Sequence, residues 1–220
     1  MAAAGRRIVP VVLPPFGGEG LLGLPTDPAR GVVLFAHGSG SSRLSPRNGF
    51  VADALQRAGL ATLLFDLLTE QEAADRNNVF DIDLLAGRLE HAASWAADSV
   101  MLGGLALGFF GASTGAAAAL VASANRTDVR AIVSRGGRPD MAGTALGRIV
   151  APTLLIVGGE DPQVLTLNEM AYQQLRCERR LEIVPRATHL FEESGTMEAV
   201  VALAREWFLW HLRPDGGKGK

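Results

Sequence analysis

The chain has 220 residues, 48% of them hydrophobic and 20% charged, and a formal net charge of −2. That is the balance of one globular domain with a sizeable core. It excludes the basic footprint of a protein that binds nucleic acid or an anionic membrane. The single cysteine, Cys177, excludes an intrachain disulfide and fits a reducing compartment, so a cytoplasmic location is expected.

Taken in chain order, Met1 to Arg7 lacks a long apolar region and a cleavage site, and is not read as a signal peptide. Ile8 to Leu13 reads as an edge strand. Gly31 to Ala36 (GVVLFA) is a continuous apolar run of the kind buried in a parallel sheet. Asn48 to Ala58 reads as a helix, Ala61 to Phe65 as a second apolar strand, and Asp81 to Ala97 as a helix with Ile82, Leu85, Leu89, Ala92 and Trp95 on one face. Leu105 to Phe110 is a third buried strand, followed by an Ala-rich helix over Thr114 to Ala124. Val129 to Ser134, Thr153 to Val157 and Leu181 to Val184 are further strands, separated by helices around Met141 to Leu146 and Leu167 to Leu175. Thr196 to Leu212 closes the domain, with Glu198 in the first turn, where the helix dipole favours an acid. Ser99 to Asn125 is low in charge but broken by glycines, Ser113 and Thr114, so it is a strand and helix rather than a membrane span. The Gly- and Lys-rich tail from Pro214 to Lys220 is expected to be disordered, leaving one domain over residues 1–213.

Strand–helix alternation implies an α/β fold, a three-layer sandwich in which a mostly parallel sheet is covered on both faces. Such sheets hold their ligands at the carboxyl ends of the strands. There the sequence places Gly111-Ala112-Ser113-Thr114-Gly115, a G-x-S-x-G between strand and helix. With glycine at 26 of 220 positions, a given serine matches by chance roughly once in seventy. A serine nucleophile needs a base, and the base a carboxylate to orient it. His189, in the loop after the strand ending at Val184, is the expected base. His211 lies inside the last helix beside two tryptophans and reads as a packing residue. Asp161 is the expected carboxylate, since two glycines and a proline shape its turn, and the adjacent Glu160 is its rival. Two backbone donors are needed for an oxyanion. Thr114 and Ser39, the latter in the loop His37-Gly38-Ser39-Gly40, are the expected pair, with His37 bracing that loop.

Together HGSGSS (37–42), GASTG (111–115), GGED (158–161) and THLFEE (188–193) resemble the α/β-hydrolase superfamily, and the short chain without a lid is most similar to its dienelactone-hydrolase-like branch. True dienelactone hydrolases carry a cysteine nucleophile where this chain has Ser113. The resemblance therefore implies a serine esterase acting on small soluble esters, with thioesters and lactones as alternatives. A non-catalytic binding protein of the same fold is the rival from another class. Neither a metal nor a cofactor is expected, nor a nucleic-acid or membrane partner, and a homodimer is compatible with the sequence. Arg43, Arg47 and Arg135, with Arg138, fall in loops at the carboxyl edge of the sheet. They have two readings: guanidiniums that grip an acidic substrate, or braces paired with Asp66, Asp140 and Glu160.

Overall fold

The computed structural model describes residues 7–213. The expected tail from Pro214 lies outside them. Eight strands form one sheet: β1 (Arg7–Leu13), β2 (Gly18–Leu24), β3 (Gly31–Ala36), β4 (Ala61–Phe65), β5 (Ala106–Ala112), β6 (Val129–Arg135), β7 (Thr153–Gly158) and β8 (Arg179–Val184). Their order across the sheet is β1-β2-β4-β3-β5-β6-β7-β8. The six strands from β4 to β8 are mutually parallel, and β2 runs antiparallel to both of its neighbours. Every residue of β3, β4 and β7 is buried, as continuous apolar runs between two helical layers require.

Among the described residues six α-helices lie between strands, α1 (Pro46–Arg57), α2 (Glu70–Ala73), α3 (Arg76–Phe80), α4 (Ile82–Asp98), α5 (Thr114–Ala124) and α6 (Pro162–Gln174), and α7 (Thr196–His211) follows β8. The Ser45 side chain caps α1 by accepting from the Asn48 N–H at 3.3 Å, and Pro46 fills the first helical position. Asp81 caps α4 in the same way through the Leu84 N–H at 2.9 Å. Helices α1 and α7 cover one face of the sheet with Val51, Leu55, Trp207 and Phe208; α4 and α5 cover the other with Leu85, Leu89 and Leu120. The helix expected at Met141 to Leu146 is a 3-10 helix over Pro139–Arg148, broken at Gly143, where φ is 52°. It is the only element between β6 and β7, and no lid domain is inserted among the described residues. None of the described helices is long and apolar enough to cross a membrane.

Four elements depart from the sequence expectations. Strand β2 has no counterpart in the sequence expectations, because its three glycines break any apolar run. A Cβ at Gly23 would fall 2.0 Å from Gln56 Nε2, so close packing of α1, rather than a bend, demands the glycine. Helices α2 and α3 are too short to show a period; their caps, Thr69 and Asp75, are what hold them. Helix α6 begins five residues earlier than Leu167, directly after Asp161, because Pro162 suits a first turn.

Candidate active site

Ser113 sits between β5 and α5 with φ 51° and ψ −123°, a backbone state disfavoured for a side-chain-bearing residue. Two glycines make the turn feasible. A Cβ at Gly111 would lie 2.4 Å from the Ala116 Cα, and one at Gly115 would lie 2.2 Å from the Ala36 carbonyl oxygen. The serine N–H donates to the Arg135 carbonyl at 3.3 Å, which ties the turn to the end of β6. The first amides of α5 have no intrahelical acceptor and face the same edge.

His189 lies in the loop after β8, and its Nδ1 is 2.8 Å from Asp161 Oδ2. With Nδ1–H donating to a carboxylate, Nε2 is the nitrogen free to accept a proton. Asp161 is mostly buried at the start of α6, and its turn is held by Glu160 N–H donating to the Ala187 carbonyl at 2.9 Å. Glu160 itself is half-exposed or more and makes no contact with the imidazole among the described residues. A Cβ on Gly136, the residue after Arg135, would be 3.7 Å from His189 Cε1, so the ring stands over the end of β6 beside the serine turn. No hydrogen bond joins the Ser113 hydroxyl to His189 among the described residues. Such contacts commonly tighten only when substrate binds. The His189 loop is braced by Glu193, whose carboxylate accepts from the Thr188 N–H at 3.1 Å and the Thr188 hydroxyl at 2.6 Å. Those bonds hold the Glu193 carboxyl below the usual carboxylate range.

On the other side, Ser39 and Thr114 line a cavity of about 660 Å³ with His37, Arg43, Asp66 and Leu67. The Ser39 N–H, expected to face an oxyanion, donates here to Thr114 Oγ1 at 2.9 Å. His37 bridges two loops: Nδ1–H donates to the Gly38 carbonyl at 3.0 Å, and Nε2 accepts the Leu67 N–H at 3.1 Å. Because an amide N–H can only donate, the ring is neutral with its proton on Nδ1. Burial pushes its pKa below the ordinary histidine value.

The arginines divide. Arg43 is tied to Asp66 and Glu19, and Arg138 to Asp140 with 2.7 and 2.8 Å contacts, the partners of a brace. Arg47, near the start of α1, meets Glu192 of the His189 loop at 3.0 Å. Arg135 differs from all of these. It is 6% exposed and meets no carboxylate among the described residues; its Nη2 makes one long bond to Asn48 Oδ1, at 3.4 Å. Its guanidinium carbon is 5.8 Å from the Phe191 ring, and its Nε has no partner. Burial first, and the neighbouring Arg47 second, bring its pKa down to about 10.

A serine on a strained strand–helix turn, with a histidine–carboxylate pair at the same carboxyl edge of a mostly parallel sheet, defines an α/β-hydrolase. No protein-family model matches the chain. A dienelactone hydrolase structure from Anabaena variabilis is 53% identical with a TM-score of 0.90, over 95% of this chain and 99% of that one. The chain therefore belongs to the dienelactone-hydrolase-like branch of the α/β-hydrolases. The esterase domain of a Rhodothermus marinus protein, at 17% identity and TM-score 0.72 over 93% of this chain and 98% of that one, shares the fold. Two curated Mycobacterium tuberculosis proteins, named provisionally as phosphoribosyl transferases, are 57% identical over 96% of this chain. The chain spans about half their length, 48%.

Proposed function

We propose that this hydrolase cleaves small carboxylic esters through an acyl-enzyme on Ser113. The observation that carries the reading is the 2.8 Å pairing of His189 Nδ1 with Asp161 Oδ2 beside a serine held at positive φ. In this scheme His189 Nε2 takes the Ser113 proton as Oγ attacks the ester carbonyl, and Asp161 stabilises the imidazolium. The tetrahedral oxyanion is met by the amides of Thr114 and Ser39. In the resting protein the Thr114 hydroxyl occupies the Ser39 donor, and substrate displaces it. His189 then protonates the leaving alcohol, and water repeats the sequence to free the acid. The transferase name of the curated relatives belongs to proteins about twice as long as this chain, and the transferase reading draws no support from the serine turn. Thioesters and lactones would follow the same path.

A fluorophosphonate probe and p-nitrophenyl esters of increasing acyl length test this. Labelling is expected on Ser113 alone. Ser113→Ala is expected to lose about 10³-fold or more in kcat without a change in melting temperature. A variant that keeps more than about a tenth of the rate would overturn the assignment.

A further inference from the structure

We propose that Arg135, backed by Arg47, forms a subsite for a phosphate group carried by the substrate. The proposal rests on the hydrolase reading above and names the class of ester it acts on. Buried guanidiniums are ordinarily paired with a carboxylate, because an isolated charge away from water is costly. Arg135 is buried, lacks such a partner and leaves Nε unbonded. It is also placed at the reaction. It ends β6 opposite Ala112, the residue before the serine, and its own carbonyl accepts the Ser113 N–H at 3.3 Å.

Arg47 lies close enough to Arg135 for the two charges to repel. Both arginines bridge the start of α1 to the His189 loop: Arg135 through Asn48 and Phe191, Arg47 through Glu192. Of the two positive charges only Arg47 meets a carboxylate among the described residues, Glu192, whose side chain is 65% exposed. A substrate carboxylate would satisfy one guanidinium fork and leave Arg47 on Glu192. A phosphate monoester brings roughly −1.5 to −2 in charge and three acceptor oxygens. It can bond both forks while Glu192 turns to water. The remaining arginines of this edge are not available, since Arg43 and Arg138 already hold acids.

The test uses aryl esters of equal length whose acyl chains end in a methyl, a carboxylate or a phosphate. The phosphate ester is expected to have the highest kcat/KM, by about 10-fold or more over the methyl ester. Arg135→Met is expected to cut the phosphate ester by about 30-fold more than the methyl ester, and Arg47→Ala to act in the same direction but less. Inorganic phosphate should raise the melting temperature of Ser113→Ala, and the rise should vanish in Ser113→Ala/Arg135→Met. That binding arm stands even if Ser113 proves not to be the nucleophile, so the two readings fail separately. A carboxylate ester that outruns the phosphate ester, equal losses on all three esters, or phosphate stabilisation that survives Arg135→Met would overturn the proposal.

Discussion

Replacing Arg135 by methionine should make the protein more stable, and the size of the gain can be worked from the structure. Burial, chiefly, brings the guanidinium's pKa well below the ordinary arginine value, to about 10. At about 1.4 kcal/mol for each pH unit, its charged form is disfavoured in the fold by about 3 kcal/mol. The group is 6% exposed, so little solvent screening reduces that figure. The penalty holds at all neutral pH values and fades only as pH rises past about 10, where the folded group begins to lose its proton. Methionine has a similar length and no charge. Its gain is offset by loss of the Asn48 bond and the Phe191 ring contact, together about 1 kcal/mol. The net gain is about 2 kcal/mol, which for a chain of this size is about 4–8 °C in melting temperature. Calorimetry and urea unfolding at neutral pH, with no phosphate in the buffer, measure it. A loss of stability would refute the argument, because it would mean that the guanidinium braces the His189 loop.

Two further outcomes follow from the geometry. Gly115→Ala places a methyl group 2.2 and 2.4 Å from the Ala36 and His37 carbonyl oxygens, both backbone. Urea unfolding should show a loss of roughly 3 kcal/mol, and a loss below about 0.5 kcal/mol would show that the turn can relax. Burial lowers the pKa of both His37 and His211, so each stays neutral in the fold at pH values where the unfolded chain is already protonated. The unfolded state therefore binds more protons below about 6.5, and stability should fall as pH drops from neutrality toward about 5. Thermal melts should show that slope, and His37→Gln, which can still donate and accept, should flatten it. An unchanged slope in the variant would place the acid sensitivity elsewhere.

The parallel core was legible because strands buried on both faces read as unbroken apolar runs, as in GVVLFA and ATLLF. The candidate site residues could be picked out because the proposed chemistry depends on position after a strand. Each of Ser113, Asp161 and His189 lies shortly past a strand that periodicity alone reveals. What stayed hidden depends on contacts made across the sheet. Strand β2 was masked by glycines in close contact with Phe16 (Gly18), Val11 (Gly20) and Gln56 (Gly23). With β2 went Glu19, the second acid on Arg43. The arginines look alike in sequence, and only their surroundings separate Arg43, held by two acids, from Arg135, held by none. The engagement of the Ser39 amide by Thr114 joins residues 75 apart and has no local signature.

Helix α5 is buried from Thr114 through Ser123 and presses its run of alanines, Ala116 to Ala119, against the sheet. The loop that carries His189 is, by contrast, largely exposed and contains Arg186 and Phe191 at positive φ. Amide protons of α5 are thus released only when the whole domain opens, while those around residues 185–195 exchange through small local excursions. In the proposed mechanism the nucleophile thus adjoins a deeply buried helix, while its base sits on a largely exposed loop. On that proposal, warming is expected to disarm the site from the histidine side first, before the serine turn is lost.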